Sequence, residues 1–153
     1  MRGWIFQGNP TKFKVDQYLL SKNEIVWPVR PEKYAKRMEP GDLAFIWRSD
    51  RTQKGTGGVV ACGEVLDAPA LMEDDAPGFW IERITSPLAL RIRMGTLERR
   101  LSPQAGMLLR TDLEGHPTLK ALWILKWRSG TVYPLDGAQL HDLLALWQAS
   151  KVD

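Results

Sequence analysis

The sequence predicts an α+β barrel, on three observations. Its apolar runs have strand length and irregular spacing, helical patterns are inserted between them, and the chain closes on a capped amphipathic helix. A βαβ sheet would alternate strands with full-length helices, and no such alternation is present.

Taken in order, residues 4–7 read as a short strand stopped by Gly8-Asn9-Pro10, a cluster of turn formers. Residues 16–21 read as one or two helical turns with Asp16 as N-cap. Ile25-Val26-Trp27 is a β-rich run stopped by Pro28, and Pro31 opens a helix in which Tyr34 and Met38 share a face. Glu39-Pro40-Gly41-Asp42 is a turn, and residues 43–47 form a nearly continuous apolar strand, as expected of one covered on both sides. After a polar loop at 48–56, residues 57–66 make a strand whose glycines permit close backbone approach. Residues 67–78 are acidic and read as an exposed loop. Residues 79–84 and 88–94 read as paired strands around Thr85-Ser86-Pro87. Ser102-Pro103 opens a short helix, 119–127 is apolar without a clear period, and 131–133 is a strand. Asp136 caps the final helix, with Leu140, Leu143, Leu144 and Trp147 at i, i+3, i+4, i+7. No linker or repeat divides the chain, so residues 1–153 read as one domain.

Composition narrows the function classes. With 44% hydrophobic and 25% charged residues the chain can build a core unaided, and its single cysteine, Cys62, rules out an internal disulfide. No apolar run approaches the ~20 residues needed to span a bilayer, and the N-terminus lacks the pattern of a signal peptide; the expectation is a cytoplasmic protein with no membrane partner. The net charge of +3 hides blocks: residues 1–60 carry 11 Lys/Arg against 6 Asp/Glu, 61–85 carry 1 against 6, and 86–128 carry 8 against 3. Two basic segments around an acidic one suit phosphate, although they also suit a plain solvated surface. Seven tryptophans exceed the needs of a core this size and leave a surplus for stacking.

Signals for catalysis are missing. His116 and His141 stand far apart, and no metal-ligand spacing, nucleophile elbow or phosphate loop occurs; no catalytic residue, metal or cofactor is expected. Glu73-Asp74-Asp75 is a weak metal candidate that reads better as solvated loop, and Cys62, between Ala61 and Gly63, as a small core residue.

Five segments carry a family resemblance. They are Trp4-Ile5-Phe6-Gln7-Gly8-Asn9-Pro10, Trp27 ahead of a basic helix, the Gly41-Asp42 turn into 43–47, residues 57–65, and Gly130-Thr131-Val132-Tyr133-Pro134-Leu135 before the last helix. In order and spacing they resemble the EVE domains, and the resemblance spans the whole chain. It implies a PUA-like mixed β-barrel with short flanking helices and a C-terminal helix, related to YTH domains. It also implies a non-catalytic module that binds a modified nucleobase in nucleic acid, DNA first with RNA left open as the alternative, and with restriction or defence proteins as further partners.

Residue by residue, the resemblance makes Trp27 the stacking platform, a pocket wall partly open to solvent. Phe6-Gln7-Gly8-Asn9 is similar to the Ile-Lys-Ser-Asn of YTH domains, which gives Asn9 the base edge and puts Gln7 where they carry lysine. Pro28 stands where YTH domains have a small polar residue. Trp47, Arg48 and Ser49 rim the pocket opposite, Gly57 joins the ligand-binding set, and Arg30, Lys33, Arg48 and Arg51 face the nucleic-acid backbone. Each also has a plain reading: Trp27 and Trp47 as core, Asn9 as a turn residue, Arg48 and Ser49 as surface. Trp4, Trp123 and Trp147 read as structural. Two rivals stay open. One is a nuclease or amidohydrolase of the PUA-like ASCH type, with Lys12, Lys54 and Glu64 as the only candidates. The other is a small-molecule nucleoside sensor using the same pocket.

Overall fold

Eight strands share one mixed sheet in the computed structural model, which describes residues 1–50, 53–82, 88–127 and 129–152. They are β1 (Gly3–Gly8), β2 (Ile25–Pro28), β3 (Leu43–Arg48), β4 (Gly58–Val65), β5 (Ala70–Glu73), β6 (Leu88–Arg99), β7 (Leu108–Leu109) and β8 (Val132–Leu135). The order is β2-β6-β4-β3-β1-β8, with β5 added to β6 and β7 to β4. β1 and β3 run parallel, and the other pairs are antiparallel. The sheet curls into a half-barrel. Its two ends meet where the Val132 N–H donates to the Arg30 carbonyl, just beyond β2, at 3.0 Å.

The apolar runs of β1 and β3 are buried on both faces, and the period of two sorts them. Trp4, Phe6, Ala44 and Ile46 pack into one core with Tyr18, Leu19, Trp27 and Ile92. Ile5, Phe45 and Trp47 pack into a second with Val59, Leu113, Leu143 and Trp147. The Gly41-Asp42 turn locks this arrangement: the buried Asp42 carboxylate accepts from the Arg2 N–H, the Glu39 N–H and the Trp4 indole Nε1–H, each at 3.0 Å.

Among the described residues four α-helices cover the sheet: α1 (Val15–Ser21), α2 (Arg110–Glu114), α3 (Trp123–Lys126) and α4 (Gly137–Ala149). α4 starts as expected. Asp136 accepts from the Gln139 N–H at 2.7 Å, Gln139 answers at 3.1 Å, and Leu140, Leu143 and Trp147 are buried. Leu144 is only half-buried, at the margin of the face.

Other elements depart from the sequence expectation. Lys14, not Asp16, stands at the N-cap of α1, without a side-chain capping bond, and Asp16 lies in the first turn, held by an arginine described below. Residues 32–37 form a 3-10 helix with Pro31 as its cap. The acidic loop contains β5, an edge strand whose Met72 carbonyl accepts from Arg91 and whose charges suit an edge. Residues 79–82 do not form a strand: a 3-10 turn spans Pro77–Phe79, and Trp80 makes a lone bridge with Phe13. β6 runs on to Arg99, well past residue 94. Ser102 caps the short 3-10 turn Pro103–Ala105, as expected. Trp123, read as structural, is instead 56% exposed. Among the described residues no helix is long and apolar enough to cross a membrane.

Candidate functional site

A cavity of about 690 Å³ opens where the ends of β1 and β2, the turn after β1 and the segment before β8 converge. This is the size range of small-molecule sites, ~300–1,000 Å³. Four aromatic rings line it: Phe13, Tyr18, Trp27 and Trp80. Trp27 leaves β2 with its indole N–H donated to the Gln7 carbonyl at 3.2 Å, and only 3% of it is exposed. A Cβ on Gly8 would lie 2.9 Å from the Trp27 ring, so only glycine lets the indole lie against β1. Phe13 stands edge-on to Trp27 (83°, 6.3 Å) and lies tilted against Trp80 at 4.7 Å between centroids.

Polar groups alternate with the rings. The Trp80 indole N–H donates to Asp74 at 2.6 Å, and Asp74 also accepts from the Ala76 N–H at 2.8 Å. Asp75 accepts from the Tyr18 hydroxyl at 2.9 Å and pairs with Lys22 at 3.0 Å. Burial holds the Tyr18 phenol well above its ordinary value, and the neighbouring Asp75 adds to the shift, so it stays a neutral donor. The Val26 N–H supplies a bond to the same hydroxyl at 2.7 Å. Arg91, buried, and Lys12, Arg30 and Glu82, exposed, complete the charged lining. On the remaining side Ser129, Gly130 and Thr131 are fixed to β1, with Gln7 Nε2 donating to the Gly130 carbonyl at 2.8 Å and the Gln7 N–H to Thr131 at 2.7 Å.

Of the residues expected here, Gln7, Gly8, Asn9, Trp27 and Arg30 line the cavity. Asn9 is also the turn residue of its plain reading, since Oδ1 accepts from the Thr11 N–H at 3.0 Å and hydroxyl at 2.7 Å. Trp27 is not the half-open wall expected of it; it is a floor sunk into the core.

Four other expectations fail. Trp47 shares the parity of Phe45 and so points into the second core. Arg48 is neither rim nor phosphate contact. It is 5% exposed and donates to both Asp16 oxygens at 2.8 and 3.0 Å and to the Leu101 carbonyl at 3.0 Å. Ser49 is half-buried and tied by its N–H to the Gly8 carbonyl at 2.9 Å, outside the lining. Gly57 is a packing glycine: its N–H donates to Asp50 at 2.8 Å, and a Cβ there would meet the Arg48 carbonyl at 2.8 Å.

Lys33 is exposed above the Tyr34 ring, 5.2 Å from its centroid, and does not reach the cavity. Arg51 lies outside the described residues. Lys12 lines the cavity while Lys54 and Glu64 do not, so the lysine–carboxylate set of the hydrolytic rival is not assembled there. Among the described residues no three His, Cys, Asp or Glu side chains group to hold a metal, and Asp74 and Asp75 instead serve the aromatic wall. Cys62 is buried, and burial pushes its thiol up to about 12.

Sequence reasoning missed Phe13, Tyr18, Asp74, Asp75, Trp80 and Arg91. Tyr18 and Asp75 are 57 residues apart, and no local pattern in the sequence joins them.

A sequence model described as EVE domain matches residues 2–146. Comparison with curated proteins gives no match. Among solved structures, the chain is similar to a hypothetical protein from Leishmania major (17% identity, 97% of this chain and 96% of that one, TM-score 0.66). It is likewise similar to Rpa0253 from Rhodopseudomonas palustris (16%, 97% and 94%, 0.65). A third is human THYN1 in complex with 5-methylcytosine-containing DNA (13%, 97% and 98%, 0.66). At these identities the likeness concerns the fold, which is PUA-like. The family match covers nearly the whole chain, and on it the chain belongs to the EVE domain family.

Proposed function

We propose that the chain is a non-catalytic binding module that takes a modified nucleobase, turned out of a DNA strand, into the cavity. The observation that carries this reading is the cavity itself, which combines four aromatic rings with carboxylates and an amide. A flipped base offers π faces to rings and a polar edge to hydrogen-bonding groups. Trp80 and Phe13, both half-buried, supply the faces above the Trp27 floor. Asn9 Nδ2 is the donor for the base edge, because Oδ1 is held by Thr11. Asp74 and Asp75 accept from exocyclic amino groups, as carboxylates do from cytosine N4. Lys12 and Arg30, exposed at the mouth, meet the flanking phosphates.

The family match supports this reading, as does the structural likeness to human THYN1, which was crystallised with 5-methylcytosine-containing DNA. On this reading the chain recognises, and a separate protein of the restriction or defence type performs the chemistry.

The test is fluorescence anisotropy with matched DNA and RNA oligonucleotides carrying 5-methylcytosine, N6-methyladenine or no modification. One modified DNA is expected to bind at least tenfold more tightly than its unmodified form. Trp80→Ala is expected to lose about 1–3 kcal/mol, the range of base–aromatic stacking. Asn9→Ala is expected to reduce discrimination more than affinity. Equal binding of every oligonucleotide contradicts the proposal, and binding of free nucleosides alone replaces it with the sensor.

A further inference from the structure

Two tryptophans of the seven are left largely in water: Trp123 is 56% and Trp127 66% exposed, whereas Trp4, Trp27, Trp47 and Trp147 are buried. They stand four residues apart, and the Trp127 N–H donates to the Trp123 carbonyl at 2.7 Å, so both indoles rise from one helical turn. The backbone beneath is tied to the cavity by a chain of hydrogen bonds. The Trp127 carbonyl accepts from the Tyr133 hydroxyl at 2.5 Å, and that hydroxyl accepts from the Gly130 N–H at 2.9 Å. The Gly130 carbonyl in turn accepts from Gln7 at 2.8 Å, and both residues line the cavity. The exposed Trp127 is thus carried two residues before the Ser129-Gly130-Thr131 wall of the cavity, on a backbone bonded to that wall. The segment that carries both indoles is basic: Lys120 and Lys126 are exposed, and the sequence has no carboxylate between Glu114 and Asp136.

From this we infer that Trp127, with Trp123 behind it, is a wedge that fills the gap a base leaves in the stack when it turns into the cavity. Such a gap is bounded by two π faces, and an apolar side chain inserted there restores the stacking that flipping removes. The flanking lysines face the phosphates on either side. The inference rests on the base-binding reading of the cavity, but it assigns a separate surface whose occupant is the duplex at the vacated position.

An abasic duplex tests the wedge apart from the cavity, since it presents the gap with no base to capture. The full chain is titrated with an unmodified duplex and with the same duplex carrying one abasic site. The wild type is expected to prefer the abasic duplex about 10- to 100-fold, the range of one base–aromatic stack. Trp127→Ala is expected to abolish that preference with unchanged thermal stability, and Trp127→Phe to retain most of it. Calorimetric titration with 5-methyl-2′-deoxycytidine and with N6-methyl-2′-deoxyadenosine reads the cavity alone, and Trp127→Ala is expected to leave those titrations unaltered.

Equal wild-type affinity for the two duplexes overturns the wedge, as does a preference that survives Trp123→Ala/Trp127→Ala. A wild-type dimer that Trp127→Ala dissociates overturns it too, by assigning the indoles to a second copy. A Trp127-dependent abasic preference with no nucleoside bound supports the wedge and rejects the cavity reading alone.

Discussion

Arg48→Ala separates two roles that the sequence leaves open for this arginine. The residue is 5% exposed, and its guanidinium chelates Asp16 with two bonds of 2.8 and 3.0 Å, while a third goes to the Leu101 carbonyl. Removing one partner of a buried pair costs about 3–5 kcal/mol, because the other charge is left without compensation. Here the Asp16 side chain keeps 21% of its surface in water, which places the cost at the lower end, about 3 kcal/mol. At about 2–4 °C per kcal/mol for a chain of this size, Tm should fall by about 6–12 °C. Urea denaturation with Asp16→Ala and the double variant completes the cycle. The double variant is expected to be less destabilised than the two single losses added together. Oligonucleotide binding measured well below Tm should keep its salt dependence, since Arg48 faces no phosphate. A stability loss under about 0.5 kcal/mol, with a log–log salt slope reduced by about 0.7–0.9, would refute the ion-pair reasoning and return Arg48 to the nucleic-acid surface.

Two further outcomes follow from packing and charge. Leu143→Ala, at a fully buried position on α4, is expected to cost about 2–5 kcal/mol in urea denaturation, and the half-buried Leu144→Ala under about 1.5 kcal/mol. Hydrogen bonding from Arg100 holds Glu98 below the usual carboxylate range. A carboxyl lowered on folding stabilises above its unfolded value, and the contribution is lost as pH falls through the lowered one. The Tm advantage of wild type over Glu98→Gln is therefore expected at pH 7 and should shrink as pH falls below the usual carboxylate range; an advantage that does not shrink there contradicts it.

What the sequence made legible is what local chemistry decides. The Asp136 cap, the leucine face of α4 and the strands β1, β3 and β4 follow from patterns within a few residues. The resemblance brought Gln7, Gly8, Asn9, Trp27 and Arg30 to one cavity. What it hid depends on parity and on distant partners. In a strand apolar on both faces, hydrophobicity does not say which way Trp47 points; only its in-register pairing and the period of two assign it to the second core. Arg48 resembles a surface arginine until Asp16, 32 residues away, is placed beside it. The acidic segment reads as solvated because Tyr18 and Trp80, which its carboxylates bond, reach them only through the fold. Trp123 and Trp127 sit in an apolar stretch that looks like core, and their exposure emerges only once the neighbouring leucines have filled it.

The central claim is that the aromatic cavity receives a modified base, and the indole N–H region of a two-dimensional NMR titration reads it most directly. Trp27 and Trp80 donate their N–H groups at the cavity wall, to Gln7 and Asp74, whereas Trp4 is sealed against Asp42 and Trp147 lies in the second core. On adding oligonucleotides that carry 5-methylcytosine or N6-methyladenine, the Trp27 and Trp80 signals are expected to shift saturably with at least one of them. The Trp4 and Trp147 signals should stay in place. If Trp27 and Trp80 remain still with every modified strand while other signals move, nucleic acid binds elsewhere on the half-barrel and the claim is wrong.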